Sequence, residues 1–169
     1  MDIEHCRFLI GRFDHYTDGV NSKVNFYIGI NTFILGGVCV GYNTVKNCPH
    51  EAAFWILFAV SCLLLICCFI SIFYTLKAMA PYLRDNHRND DIASLIFFGG
   101  IAKHTCAEFE NKFGGQDEQD LLTDSVRQTY SLAKGLNMKF RNLNWASVFL
   151  FAEYFLLVIV IFLTFLILN

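Results

Sequence analysis

Three long runs of apolar residues, separated by polar and charged segments, dominate the pattern along the chain. They cover residues 24–45, 52–76 and 145–168, and each is more than 20 residues long. A helix of about 20 residues, rising about 1.5 Å per residue, crosses the hydrocarbon core of a bilayer. The sequence therefore predicts an all-α membrane protein with three transmembrane helices: an N-terminal hairpin closed by an outer loop at 46–51, and a C-terminal span.

The basic residues lie almost entirely on one side of these spans. Of the 13 lysine and arginine residues, three lie in segment 1–23, nine lie in segment 77–144, and Lys46 lies in the outer loop. Positive charge marks the cytoplasmic side of a membrane protein. We therefore expect the N-terminal segment in the cytoplasm, together with segment 77–144, which would form a helical sensor.

Composition agrees with a membrane protein and gives little support to other classes. Hydrophobic residues make up 55% of the chain and charged residues 17%, with a mean hydropathy of +0.44. The net charge of −2 gives no case for nucleic-acid binding. The sequence contains no phosphate-binding loop, nucleophile elbow or metalloprotease motif, and its five histidines are dispersed. We expect neither an enzyme nor a metal or cofactor site.

The segment between the second and third spans is predicted to open with a helix over 86–115. Asp90 and Asp91 suit the N-terminus of a helix, and a glycine pair beginning at Gly114 would end it. The stretch SLIFFGGIA at 94–102 belongs to an apolar run of about 11 residues, too short to span a bilayer. We interpret it as the apolar centre of this helix, packing and coupling the sensor to the spans. Its apolar stripe consists of Ile92, Leu95, Ile96, Gly99, Cys106, Phe109 and Phe113.

A second helix is predicted to begin near Asp117–Asp120 and to continue without a break into the third span. One face repeats at alternating intervals of four and three residues, like a heptad seam that packs against another helix. A neighbouring stripe is mostly polar, and it could line a small pocket or form a solvated face. The seam contains Leu122, Val126, Thr129, Ala133, Leu136, Phe140 and Leu143, and the stripe contains Leu121, Asp124, Gln128, Leu132, Gly135, Lys139 and Asn142.

Four residues within the spans suggest specific contacts. Asn31 needs a hydrogen-bond partner and should face protein rather than lipid. Glu153 is an ionisable group within the third span, where charge is costly. It is either a neutral group, bonded to Asn31 or to a neighbouring subunit, or part of a pore or gate. Gly37 and Gly41 form a small-xxx-small motif that would let helices pack closely, often between subunits.

Three blocks of the sequence resemble the transmembrane effector family of Pycsar, a bacterial anti-phage system. The first, NSKVNFYIGIN, places Asn31 eight residues after Lys23. The second, SLIFFGGIA, is similar to a family stretch of the form Asn-Leu-x-Phe-Phe-Gly-Asp-Ile-Ala. The third, QTYSLAKGLNMKFRNL at 128–143, is similar to a Gln-x-x-x-Leu-Ala block followed by Lys-Tyr-x-x-Leu. Asn21 and Gly100 stand where the family usually has aspartate.

The resemblance implies a helical membrane effector that binds cyclic CMP or cyclic UMP, made during phage infection by a partner pyrimidine nucleotide cyclase. The effector, an expected homo-oligomer of the bacterial inner membrane, would then impair the integrity of that membrane, so that the infected cell stops growing or dies. Two other functions fit the arrangement of spans. One is a small constitutive channel or transporter subunit, and the other is a membrane scaffold for a soluble partner.

Candidate ligand-binding residues follow from the chemistry of a cyclic mononucleotide. Its phosphate needs cations or helix N-terminal amides, and its base needs a stacking surface and amide-type partners. The candidates are Lys23, Lys139 and Arg141 for the phosphate, Gln128 and Asn142 for the pyrimidine edge, and Phe97 or Phe98 for stacking. Each has a plainer alternative: Lys23 could anchor the first span at the membrane surface, and the others, like Gly99, could serve in packing.

Overall fold

The computed structural model describes residues 2–45, 51–81 and 94–168, and all regular structure within these ranges is helical. The helices are α1 (Ile3–Val45), α2 (Glu51–Met79), α3 (Phe98–Ile101), α4 (Cys106–Gly114) and α5 (Glu118–Leu168). Helices α1, α2 and α5 are long and apolar enough to cross a membrane, which confirms the predicted all-α membrane protein. The predicted outer loop at 46–51 lies outside the described residues except for its last position.

Helices α1 and α5 extend well beyond the predicted spans. Helix α1 has 43 residues and includes nearly all of segment 1–23. Helix α5 has 51 residues and runs unbroken into the third span, as predicted. It begins where Asp117 Oδ1 accepts a hydrogen bond of 2.7 Å from the backbone N–H of Asp120. The first-turn carboxylates of Glu118 and Asp120 suit the positive end of the helix dipole.

The prediction of one helix over 86–115 is wrong in the part of the chain that the structure describes. Between 94 and 105 the backbone forms bends, the single turn α3 and another turn, before α4 begins. The predicted starting residues Asp90 and Asp91 lie outside the described ranges. The predicted end is confirmed, because α4 finishes at Gly114.

A capping box at Thr105 explains why the helix is interrupted there. Thr105 Oγ1 accepts a hydrogen bond from the backbone N–H of Glu108 (3.3 Å), and the Glu108 carboxylate accepts one from the backbone N–H of Thr105 (2.9 Å). The hydrogen bond from the Thr105 backbone lowers the pKa of the Glu108 carboxyl group. Two backbone donors are satisfied reciprocally, so this position favours a new helix start over continuation.

The chain divides into two compact units. The first, called here the loop unit, combines Met1–Gly19 with Pro81–Met138, and the second, the bundle unit, combines Val20–Ala80 with Lys139–Asn169. Segments of α1, α2 and α5 pack together in the bundle unit, while many large apolar side chains on its surface are exposed, as contact with lipid requires. Its buried core residues form three clusters: Val20, Val24, Ala78 and Leu143; Ile34, Leu64 and Cys68; and Leu57 with Ile167.

The buried face of α5 differs from the predicted heptad seam. In the loop unit it is marked by Ser125 and Gly135, together with Thr129 of the predicted seam. The two hydroxyl groups each donate a hydrogen bond of 2.8 Å to a carbonyl oxygen one turn earlier in the same helix. In the bundle unit, Leu143 is buried as predicted, whereas Phe140 is exposed. The buried face of the loop unit is therefore more polar than the predicted seam, and its hydroxyl groups are satisfied locally.

Candidate functional site

The segment SLIFFGGIA forms a compact loop that is held against α5 by one carboxylate. Asp124 Oδ2 accepts hydrogen bonds from Ser94 Oγ (3.0 Å) and from the backbone N–H of Leu95 (2.9 Å). Ser94 Oγ in turn accepts from the backbone N–H groups of Ile96 (3.3 Å) and Phe97 (3.1 Å). Both Ser94 and Leu95 are buried. A single side chain of α5 thus fixes the start of the loop.

Gly100 lets this loop close on itself. Gly100 is buried, and a Cβ atom added there would overlap the carbonyl oxygen of Ser94. The backbone N–H of Gly100 donates to Phe97 O (2.9 Å), and the backbone N–H of Lys103 donates to Gly100 O (3.1 Å). A side chain of any size would therefore have to displace the backbone of Ser94. The aspartate expected from the family resemblance cannot occupy this position in the present loop conformation.

The two phenylalanines of the loop lie next to each other at its surface. The Phe97 and Phe98 ring centroids are 4.6 Å apart and the rings are tilted by 52°. Phe98 is 65% exposed, and Phe97 is half-buried. A Cβ atom added at Gly99 would lie 2.6 Å from the Phe97 ring, so this glycine makes room for the ring. The expectation that Phe98 lies in the apolar centre of a helix is wrong within this chain.

A cavity of about 430 Å³ lies in the loop unit, close to the N-terminal ends of α1 and α5. It is lined by Asp2, Ile3, Asp117, Glu118, Gln119 and Leu122. Three of the six lining residues are carboxylates, which repel a phosphate group. The negative charge of this cavity therefore argues against it as the phosphate site of a nucleotide.

Lys139, a candidate phosphate ligand, caps the end of α2 in this structure. Its Nζ donates hydrogen bonds to the carbonyl oxygens of Ala78 (3.0 Å) and Met79 (3.2 Å). The last carbonyl groups of a helix lack intrahelical partners and attract cations. Burial lowers the pKa of the Lys139 ammonium group. A phosphate would have to compete with these two carbonyl groups for Lys139.

We expect Lys139→Met to destabilise the bundle unit by about 1–2 kcal/mol, because α2 loses two hydrogen bonds from a partly exposed charged donor. Thermal unfolding of the purified protein in detergent, followed by circular dichroism, measures the change. Arg141→Met removes the same charge from an exposed position on the same helix and should have almost no effect. Equal stability of the two variants would show that the α2 cap contributes nothing.

The remaining phosphate candidates, Lys23 and Arg141, are exposed in the bundle unit. Arg141 follows Lys139 by two residues, which places it about 200° around the helix. Within one chain, Lys139 and Arg141 cannot clamp the same phosphate. The base-edge candidates belong to different compact units, Gln128 to the loop unit and Asn142 to the bundle unit, and both are half-buried.

A polar cluster lies inside the bundle unit, where all three helices contribute. Asn31 Nδ2 donates to the carbonyl oxygen of Tyr27 (2.9 Å) and to Ser71 Oγ (3.2 Å), and Ser71 Oγ contacts the carbonyl oxygen of Ala146 (3.5 Å). Glu153 is fully buried, and the side chains of Ser71 and Cys68 face its carboxyl group. Asn31 therefore faces protein, as its amide requires.

Two residues of this cluster carry unsatisfied acceptors. The Oδ1 atom of Asn31 and both carboxyl oxygens of Glu153 are buried and accept no hydrogen bond of good geometry from the described residues. Buried polar atoms in native proteins are nearly always hydrogen-bonded. Three such oxygens in one cluster make it a candidate functional site.

No other described part of the chain approaches α1 closely at Gly37 or Gly41. A Cβ atom added at either glycine would meet nothing within 4 Å. Both positions are therefore open to lipid or to a second copy, and the helix contact expected there stays a prediction about an oligomer.

Three residues that organise these sites were not singled out from the sequence. Asp124 was placed in the polar stripe of α5 without a role, and its polar neighbours Thr123 and Ser125 give no signal of an anchoring contact. Ser94 begins an apolar segment, where a small hydroxyl residue often caps the next turn. Ser71 lies in a nearly uniform apolar span, and only its polarity within that span distinguishes it.

Comparison with known proteins identifies the chain at the level of its family. A family model described as the Pycsar effector protein domain, PycTM, matches residues 5–166. No curated protein and no solved structure matches the chain. The family match covers nearly the whole sequence and includes residues of both compact units.

Proposed function

This chain belongs to the PycTM family of Pycsar effectors, and on that premise we propose that it binds cyclic CMP or cyclic UMP and then impairs the bacterial inner membrane. The family match supports an anti-phage effector role. The three membrane-spanning helices supply the part that acts in the bilayer. This proposal includes the ligand and the partner pyrimidine nucleotide cyclase that makes it. It also includes a cytoplasmic N-terminus and a homo-oligomeric assembly.

The continuity of α5 is the observation that carries the proposal. This one helix holds Asp124, which anchors the loop, and Glu153, which lies in the polar cluster of the bundle. It contains no proline that would interrupt its hydrogen bonds. A ligand that changes the loop therefore acts on the same continuous helix that is long and apolar enough to cross the membrane.

Phe98 gives the loop an accessible aromatic surface for a pyrimidine base. Stacking of a base on an aromatic side chain contributes about 1–3 kcal/mol and needs an exposed ring face. The exposure of Phe98 favours this role over core packing. Of the candidate phosphate ligands, Lys23 and Arg141 are exposed.

Binding would act by shifting an equilibrium between two packings of the helices. A ligand can move such an equilibrium only by the difference between its affinities for the two states. The loop is suited to this role because one carboxylate and one close backbone contact hold it. A nucleotide that rearranges these few contacts would therefore change the packing of the loop against α5.

Titration calorimetry of the purified protein with four cyclic mononucleotides tests the ligand. We expect binding of a cyclic pyrimidine nucleotide and none of cyclic AMP or cyclic GMP. Phe98→Ala should weaken binding about tenfold, which corresponds to about 1.4 kcal/mol of lost stacking. Phe113→Ala, which removes an exposed phenylalanine from α4 of the same unit, should bind as the unchanged protein does.

The outcomes separate the possible functions. If no cyclic pyrimidine nucleotide binds, the proposed ligand is wrong. Ion flux through liposomes without any nucleotide would favour the constitutive channel, and a stable soluble partner without any flux would favour the scaffold. Equal affinity of the Phe98 and Phe113 variants would remove Phe98 from the site while leaving the ligand in place.

A further inference from the structure

Glu153 is the only charged residue in the three predicted spans. Segments 24–45, 52–76 and 145–168 contain no lysine or arginine and no other carboxylate. Ionisable residues at such depth are costly and usually mark an ion pathway or a relay. Any aqueous path formed by these spans would therefore carry fixed charge of one sign.

The surroundings of Glu153 have the chemistry of a cation site. Its two carboxyl oxygens, together with Asn31 Oδ1, are buried and accept no hydrogen bond of good geometry from the described residues. The hydroxyl group of Ser71 lies next to both residues, since it accepts a hydrogen bond from Asn31 Nδ2 and faces the Glu153 carboxyl group. Carboxylate, amide and hydroxyl oxygens are the ligands that hard cations prefer.

Further polar side chains of the bundle are turned inward along the same helices. Tyr27 OH and Ser147 Oγ are 2.7 Å apart, and Thr75 is fully buried with its hydroxyl bonded to Ser71 O (2.8 Å). The large exposed side chains of the bundle are instead apolar, including Phe33, Phe151 and Phe155. A rearrangement that separates the helices would expose a polar lining to water while keeping an apolar surface towards lipid.

We infer that the membrane lesion is a cation-conducting path lined by this polar face, with the Glu153 carboxylate as the ion-selecting group. This inference rests on the proposed function, because it describes what the nucleotide-bound protein does to the membrane. In the present packing the path is closed, with Glu153 fully buried among the three helices. In a homo-oligomer each copy contributes one carboxylate, and rings of carboxylates select cations over anions.

Planar bilayers of phosphatidylethanolamine and phosphatidylglycerol, holding the full-length protein under a potassium chloride gradient, test this inference. Addition of the cyclic pyrimidine nucleotide should produce a current whose reversal potential lies near that of potassium. Glu153→Gln should move the reversal potential most of the way towards zero, and Glu153→Asp should keep the cation preference. Thr32→Val, which removes an exposed hydroxyl group from α1, should leave the reversal potential unchanged.

The results distinguish failure of this inference from failure of the proposed function. A nucleotide-dependent current that carries chloride as well as potassium would overturn the cation path but leave the effector function intact. Unchanged selectivity in both Glu153 variants would overturn the role of the carboxylate. If calorimetry shows that the nucleotide binds but the bilayer carries no current, both the proposed function and the cation path are contradicted.

Discussion

Gly100→Ala is expected to prevent the 94–102 loop from adopting its folded conformation. The added methyl group would overlap the carbonyl oxygen of Ser94, and backbone atoms cannot move aside as the end of a flexible side chain can. An extra carbon in a closely packed site lowers stability by about 1–3 kcal/mol, and we expect a value of about 3 kcal/mol here because the overlap is with backbone. The loop would open and, under the proposed function, growth arrest during phage infection would be lost with it.

Hydrogen exchange in detergent measures this effect directly. The backbone N–H groups of Leu95, Gly100 and Ala102 are bonded within the loop or to its anchor, and they should exchange much faster in the variant. Gly19→Ala is the matched control, because a Cβ atom there meets nothing within 4 Å and alanine favours the helix. Unchanged exchange of the loop in Gly100→Ala would show that the loop does not depend on this contact.

Asp124→Ala is expected to release the same loop from α5, because it removes the carboxylate that anchors the loop. The variant removes the acceptor of two hydrogen bonds and leaves the backbone N–H of buried Leu95 without a partner. The loss of two charge-assisted hydrogen bonds, together with an unsatisfied buried donor, should destabilise the folded loop by about 3 kcal/mol. Nucleotide-dependent membrane leakage should then disappear, while the bundle unit stays folded.

A graded series makes this result specific. Asp124→Asn keeps one side-chain oxygen as an acceptor and should retain part of the leakage, because the geometry survives without the charge. Asp14→Ala removes an exposed carboxylate from α1 of the same unit and should behave as the unchanged protein does. Full leakage in Asp124→Ala, measured by dye release from liposomes, would show that the anchor has no part in signalling.

The parts of the fold set by periodicity and length could be predicted from the sequence. Apolar runs of more than 20 residues identify the three spans, and the absence of proline from α5 predicts its continuity. The interruption before α4 could also have been predicted from the sequence, since Thr105 and Glu108 have the spacing of a capping box. It was overlooked because apolar spacing alone favoured one helix across this position.

The contacts that build the candidate sites could not be predicted in the same way. Asp124 and Ser94 are 30 residues apart, and no periodic pattern links them. Asn31 was expected to face protein, but its contact with Ser71 depends on how two helices are rotated. Lys139 was assigned from its charge to a phosphate, whereas the carbonyl groups at the end of α2 are equally suitable partners for that charge.

The buried position of Glu153 also constrains the order in which the protein enters the membrane. A carboxylate near the middle of a span adds about 2.5–3.5 kcal/mol to the free energy of insertion. The side chains that face it, Ser71 and Cys68, belong to α2, and Asn31 of α1 donates a hydrogen bond to Ser71. Both helices are synthesised before α5. We therefore expect the N-terminal hairpin to cover this carboxyl group when the last span inserts, whereas a chain lacking the hairpin would place its final helix in lipid with the carboxyl group uncovered.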